Sequence, residues 1–170
     1  GFIMAEVLGK GFTLIDLRTH EVSYLEKDGA NKRNPVNDIF MDSKGRVWLG
    51  ADLYNFFVYD HHSRQIIPVK IKIPSGIYSA SGQINTITEY NATTLVLGTD
   101  NGLLPFNTNN MVFCSNSDGF LADRLLYHRI MSVYKDGDGA FWFGTFNKGL
   151  KYYNPNHYLF KSYDLATDKG

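Results

Sequence analysis

An excess of either charge is missing from this chain. Its 170 residues carry 17 Lys+Arg against 17 Asp+Glu, a formal net charge of zero. Nucleic-acid-binding domains and polybasic membrane-surface proteins both need a concentrated basic excess, so those classes are excluded for this segment. Cysteine is almost absent. Cys114 stands alone, which rules out an intrachain disulfide framework and any CxxC metal or redox pair. No run approaches the roughly 20 apolar residues that span a bilayer. Residues Gly1 to Gly9 are apolar, but Glu6 interrupts them and no cationic stretch precedes them, so they do not read as a signal peptide. The chain opens on Gly and not Met, as expected of a processed or excised piece. A helical period is also lacking, apart from one turn's worth of pattern at Leu121 to Tyr127.

What the chain has instead is 12 Phe, 11 Tyr and 16 Gly, a mixture that leans toward strands joined by tight turns. These residues recur in order. Val36-Asn37-Asp38-Ile39 leads through Asp42-Ser43-Lys44-Gly45 to Val47-Trp48-Leu49-Gly50. Ile84-Asn85-Thr86-Ile87 leads to Leu95-Val96-Leu97-Gly98-Thr99. Ile130-Met131-Ser132-Val133 leads through Asp136-Gly137-Asp138-Gly139 to Phe141-Trp142-Phe143-Gly144-Thr145. Each segment continues into a short strand ending in Asp or Asn, at Asp60, Asn107 and Asn154, and Gly11 to Asp16 fits the same frame. The residue five before that Asp/Asn falls at 11, 55, 102 and 149, spaced by 44, 47 and 47.

Each unit reads as four short strands. The unbroken apolar runs at 47–49, 95–97 and 141–143 suit strands covered on both faces, and the Asp/Gly tetrapeptides are turn chemistry. Ile39, Ile87 and Val133 each sit three residues after an apolar partner, which breaks strict alternation and implies burial on both sides or a bulge. Repeated four-stranded units of roughly 40–50 residues are the signature of a β-propeller. The fold class expected is therefore all-β, a β-propeller fragment of a little under four antiparallel blades. The blades run approximately over 2–31 (lacking its first strand), 36–70, 84–116 and 130–164, with long connections at 68–83 and 114–129. Rings close with about 4–8 blades, so the chain reads as part of a longer propeller. An open arc favours association, either with remaining blades of the same propeller or with a second copy of the arc sharing one ring.

The unit, with Asp136, Gly139, Trp142, Gly144, Thr145, Gly149, Leu150, Tyr153 and Asn154 as its fullest instance, resembles the two-component regulator propeller repeat. Asp118-Gly119-Phe120-Leu121 is similar to that family's step into the next blade. The second unit keeps Asp42, Gly45, Trp48, Gly50, Tyr59 and Asp60 but has Ala51 for Thr and Asn55 for Gly. The third departs furthest, with Val96 for Trp, Pro105 in a strand and Asn91-Ala92-Thr93 for the Asp-x-x-Gly turn. The resemblance implies a role without a reaction. It points to the periplasmic sensor region of a Bacteroidetes hybrid two-component histidine kinase, a homodimer in the full receptor, sensing oligosaccharides from glycan breakdown. Kinase and DNA-binding parts would lie outside these residues.

No catalytic constellation is present, and this segment is expected not to be an enzyme. Gly9-Lys10-Gly11 lacks the spacing of a phosphate loop, Gly-x-Ser-x-Gly is absent, and no acid/base carboxylate pair can be assigned. Asp136-Gly137-Asp138-Gly139 is short of calcium ligands, and His61-His62 reads as a solvated turn, so no metal or cofactor is expected. Trp48 and Trp142 are expected between blades, with Gly50, Gly98, Gly144 and Gly149 as structural positions of the repeat. Strand alternation puts the loops between second and third strands on one face. That face would collect Asp52, Tyr54, Asp100, Asn101, Phe146, Asn147 and Lys148, polar groups and aromatic rings that suit a sugar. An interaction propeller without a small-molecule ligand is the competing role, and a propeller lyase a third for which no residues are found.

Overall fold

The computed structural model describes residues 1–7, 11–25, 35–52, 55–61, 63–69, 82–113, 128–157 and 159–164. Their regular elements are all strands, arranged in four antiparallel sheets. The first sheet holds β1 (Phe2–Val7), β2 (Gly11–Asp16) and β3 (Val22–Leu25). The second holds β4 (Asp38–Met41), β5 (Val47–Asp52), β6 (Asn55–Asp60) and β7 (Gln65–Pro68). β8 (Ile84–Asn91), β9 (Thr94–Thr99), β10 (Gly102–Asn107) and β11 (Val112–Phe113) make the third. The fourth is β12 (Ile130–Lys135), β13 (Phe141–Thr145), β14 (Leu150–Asn154) and β15 (Leu159–Tyr163). Spatial order follows chain order in every sheet, so each is a meander. The first sheet has three strands among the described residues. Among the described residues no helix is long and apolar enough to cross a membrane.

The sheets stack face to face through three apolar clusters. Phe12, Val47, Leu49, Phe57 and Tyr59, with Phe2, Met4 and Leu14, join the first sheet to the second. Trp48 and Phe56 meet Ile84, Ile87, Leu95, Leu97 and Phe106 between the second and third. Val96 and Leu103 meet Ile130, Phe141, Phe143 and Tyr153 between the third and fourth. The second and third sheets each have one face toward their predecessor and one toward their successor, which is why their second strands read as unbroken apolar runs.

Two glycines set how closely the sheets approach. A Cβ on Gly50 would lie 2.7 Å from Ile84 Cγ2 and 3.0 Å from Ile87 Cδ1, both in the next sheet. A Cβ on Gly98 would lie 2.8 Å from Ile130 Cγ2, again in the next sheet, and 2.6 Å from Thr86 Cγ2. The first-strand isoleucine of one sheet therefore seats in a hollow that only glycine leaves open on the sheet before it. The break in alternation is explained by the same contact. Register shifts between Ile84 and Thr86 and between Ile130 and Ser132 mark β-bulges. In β8 the bulge lets Ile84 and Ile87, three residues apart, reach the same glycine.

The hairpin between first and second strands is fastened by an aspartate. Asp42, nearly fully buried, accepts bonds from Lys44 N (3.0 Å), Arg46 N (2.9 Å), Arg46 Nε (2.7 Å) and Trp48 Nε1 (2.9 Å). Asp136 repeats the pattern with Asp138 N (3.1 Å), Ala140 N (2.9 Å) and Trp142 Nε1 (2.9 Å). One carboxylate thus closes the turn and satisfies the indole six residues on, so the tryptophan can enter an apolar seam with its N–H paired. The third sheet has Asn91 bonding Thr93 N (2.9 Å) and Thr93 Oγ1 (3.0 Å), and Val96 in place of the indole. Pro105 is tolerated within β10 because β11 pairs only with Phe106 and Asn107, leaving the proline beyond its reach.

Three outcomes are expected. Gly50→Ala and Gly98→Ala should each lower stability by about 1–3 kcal/mol through overpacking, read as a shift in the urea midpoint. Gly144→Ala would crowd only the Ser132 hydroxyl of its own sheet, a side-chain end that can rotate away, and should cost less than either, about 0.5–1 kcal/mol. Acid should expose the aspartate clasp. Burial alone would raise the Asp42 pKa, but hydrogen bonds from Trp48 and Arg46 outweigh it and hold the carboxyl below its ordinary value. The Trp142 indole, with backbone N–H groups, lowers Asp136 likewise. Carboxylates with depressed folded-state values stabilise above the unfolded value and lose that contribution as pH falls through the folded one. Stability should therefore drop steeply below about pH 4, and Asp42→Asn/Asp136→Asn should be less stable at pH 7 with a flatter acid limb. An equally steep limb in the double variant would contradict this.

Candidate functional site

The turns joining second and third strands lie together at one end of the sheets, the end that also carries the starts of the first strands. Asp52 closes β5, Asp100 and Asn101 form the β9–β10 turn, and Phe146, Asn147 and Lys148 lie in the β13–β14 turn. Tyr54 falls outside the described residues, as do His62, Cys114, the step at 118–121 and the helical turn expected at 121–127.

The structure brings some of these residues together through partners that the repeat pattern does not advertise. Asp100 Oδ1 accepts from Arg129 Nε (2.8 Å) and from Asn85 Nδ2 (2.9 Å). The Arg129 guanidinium lies 5.0 Å from the centre of the Phe146 ring, and Phe146 N donates to Arg129 O (2.9 Å). Asp100 and Phe146, from turns of adjacent sheets, are thus joined by one arginine that pairs with the first and stacks on the second. The Phe146 ring is 63% exposed, and the exposed Asn147 and Lys148 follow it. Arg129 makes no further side-chain bond through Nη among the described residues. The cluster therefore offers an exposed aromatic ring, a guanidinium with donors to spare, an amide and an ammonium.

Asp52 is committed locally. Its carboxylate accepts from Asn55 N (2.9 Å) and Asn55 Nδ2 (2.7 Å), closing its own turn. Gln83 forms a bridge with Asp52 and accepts from Asp100 N (3.3 Å) through its carbonyl, so the two turns share a backbone link. Asn101 N donates to Thr99 Oγ1 (3.1 Å), and Lys148 N donates to Thr145 Oγ1 (3.0 Å). Arg129, Asn85 and Gln83 are the members that sequence reading missed. All three flank the isoleucines that open β8 and β12; Gln83 and Arg129 share one repeat position at which residue type differs, while Asn85 repeats Asn37.

A groove of about 520 Å³ runs along the first strands, lined in part by Asp38, Thr88, Glu89, Tyr134 and Lys135. Its charges hold the seam together. Asp38 accepts from Ile87 N (2.6 Å), Glu89 from Ser43 N (3.0 Å) and Ser43 Oγ (2.7 Å), and Lys135 donates to Tyr90 O (2.9 Å). Among the described residues no three His, Cys, Asp or Glu side chains are grouped to hold a metal ion.

Meandering sheets stacked face to face, with their first strands side by side, are blades of a β-propeller. Residues 32–52 and 124–147 match the family model described as the two component regulator propeller. The extracellular domain assigned to the hybrid two-component system BT4673 of B. thetaiotaomicron is similar over 98% of this chain and 21% of its own length, at 15% identity and a TM-score of 0.71. That of BT3049 from the same organism is similar over 95% and 22%, at 19% identity and a TM-score of 0.65. The Dos1 propeller is similar over 96% and 45%, at 10% identity and a TM-score of 0.63. At these identities the likeness is one of fold. The chain spans about a fifth of the two extracellular domains it resembles. No curated protein matches it in sequence.

The Asp100–Arg129 pair is partly exposed, so its double-mutant coupling energy should be modest, about 0.2–1 kcal/mol, and should shrink in salt. A coupling well above that range would mark the cluster as a structural keystone and remove it as a site.

Proposed function

We propose that this chain is part of the extracytoplasmic sensor region of a hybrid two-component histidine kinase and response regulator. In this reading the segment itself catalyses nothing. It lies in the periplasm, binds oligosaccharides released from glycans, and passes the signal through a receptor homodimer to genes of glycan use. The matched family model and the extracellular domains among its structural relatives support the setting. The observation that carries the ligand reading is the Asp100–Arg129–Phe146 cluster with Asn147 and Lys148 beside it. A sugar presents hydroxyls that need donors and acceptors in place of water, and one apolar ring face that stacks on an aromatic face. The cluster holds both within one turn's reach. Asp52 and Asn101 belong to the same turn face, and they are proposed, with Tyr54, as its further members.

A second reading, a protein-interaction propeller without a small-molecule ligand, is favoured by the large apolar side chains left exposed on the fourth sheet, Tyr134 at 65% and Tyr163 at 49%.

A panel of glycan-derived oligosaccharides in a thermal-shift measurement separates the two. Ligand at a hundred times its Kd should stabilise by about 2.7 kcal/mol, and Asn147→Ala/Lys148→Ala should abolish that gain while leaving the unliganded Tm in place. In the intact receptor the same pair of substitutions should silence the response. An unchanged response would remove the turn cluster from the binding face.

A further inference from the structure

We propose that Arg129 selects for charge at the turn cluster, so that the sugar bound there carries an oxyanion, a uronate carboxylate or a sulfate ester, seated on the free end of the guanidinium. This rests on the sugar-binding reading of the Asp100–Arg129–Phe146 cluster and specifies which sugars it takes.

The cluster has a counterpart one sheet earlier. Gln83 precedes the isoleucine that opens β8, as Arg129 precedes the one that opens β12. Both residues use their backbone alike. Gln83 O accepts from Asp100 N (3.3 Å), and Arg129 O accepts from Phe146 N (2.9 Å). The asparagine stitch is shared as well, since Asn37 and Asn85 donate to Ile84 O and Ile130 O at 3.0 Å. The seam between the second and third sheets thus closes with a neutral, exposed glutamine. Joining two sheets does not need a cation at this position. What Arg129 adds over Gln83 is side-chain chemistry.

That side chain is held in place from two directions. Its Nε donates to Asp100 Oδ1 (2.8 Å), and the same oxygen accepts from Asn85 Nδ2 (2.9 Å), a group that also donates to Ile130 O. The guanidinium lies 5.0 Å from the centre of the Phe146 ring. These contacts restrain a side chain that otherwise has many rotamers. They occupy Nε and leave the Nη1/Nη2 end without a partner among the described residues. Two N–H donors at fixed spacing match two oxygens of a carboxylate or a sulfate, and such charge-assisted pairs are about twice as strong as neutral ones. A sugar hydroxyl engages one donor at a time and gains no charge term.

The remaining charges at this end of the sheets favour the same ligand. Arg129 answers Asp100, and the Asp52 carboxylate, on the second sheet, is bonded within its own turn to Asn55. Lys148, exposed two residues after Phe146, forms no ion pair among the described residues. The junction between the third and fourth sheets therefore pairs its one carboxylate and keeps an ammonium beside the open guanidinium end.

Matched sugars test the assignment. The probes are trimers of galacturonate, glucuronate and mannuronate, each compared with its carboxyl-reduced neutral counterpart and with that counterpart sulfated at the same exocyclic carbon. Affinities are read by titration calorimetry on the chain. In at least one set a charged member should bind about tenfold more tightly than the neutral one, and added salt should narrow the gap. Arg129→Gln, which installs the residue type found one sheet earlier, should abolish the preference with little change in Tm. Arg129→Lys, which keeps the charge without the fork, should restore only part of it. Equal affinity of charged and neutral members in every set that binds would overturn the proposal and leave the sugar-binding reading standing. So would a preference that survives Arg129→Gln. Inorganic sulfate bound as tightly as the sulfated trimers would also overturn it, because the sugar would then contribute nothing. Binding by no member of any set would overturn both the proposal and the reading beneath it.

Discussion

The seating of an isoleucine methyl group against a glycine backbone is the contact on which the stack of sheets depends. Ile84 over Gly50 and Ile130 over Gly98 fix how near two sheets come and in what register. A sheet in water has two faces to cover, and these strands are apolar on both. Neither face can be left to solvent without a hydrophobic cost of about 25 cal/mol for each Å² exposed. Close approach turns that cost into packing, and only a residue without a Cβ permits the approach. The bulges in β8 and β12 follow from the same need, because unbroken alternation would turn every second first-strand side chain away from the seam.

Around this contact several buried polar groups are held by named partners. The indole of Trp48 enters the seam with its N–H held by Asp42, and the same carboxylate closes the turn that returns the chain. Asn37 and Asn85 carry the stitching to the next sheet, bonding the carbonyl at the start of its first strand. The turn cluster at Asp100, Arg129 and Phe146 grows from this scaffold. Arg129 is held where it is because the chain must pass that point to enter β12, and its guanidinium lies between a carboxylate of one sheet and a ring of the next. A candidate ligand face is thereby placed on rigid strand ends.

Much of the architecture was legible in the amino-acid order. The recurrence of Asp, Gly, Trp and Gly at fixed offsets is dictated by contacts internal to each unit, so it shows as a period. The turn roles of Asp42 and Asp136 were readable for the same reason, although their bonds to Trp48 and Trp142 were not, since residue order does not say where an indole N–H points. Arg129 was invisible because its partners lie 29 positions away in the preceding unit and 17 positions away across its own. The two tryptophans looked equivalent in sequence. Their difference in exposure depends on what lies beyond each sheet, which no local pattern encodes.

Methyl–α-proton nuclear Overhauser effects at the three repeat glycines measure this isoleucine–glycine contact itself. The account predicts strong cross-peaks from the Ile84 methyl groups to Gly50 and from Ile130 to Gly98, with no aliphatic methyl of another sheet reaching Gly144. Absence of the first two, or an inter-sheet methyl contact at Gly144 in the isolated chain, would contradict it.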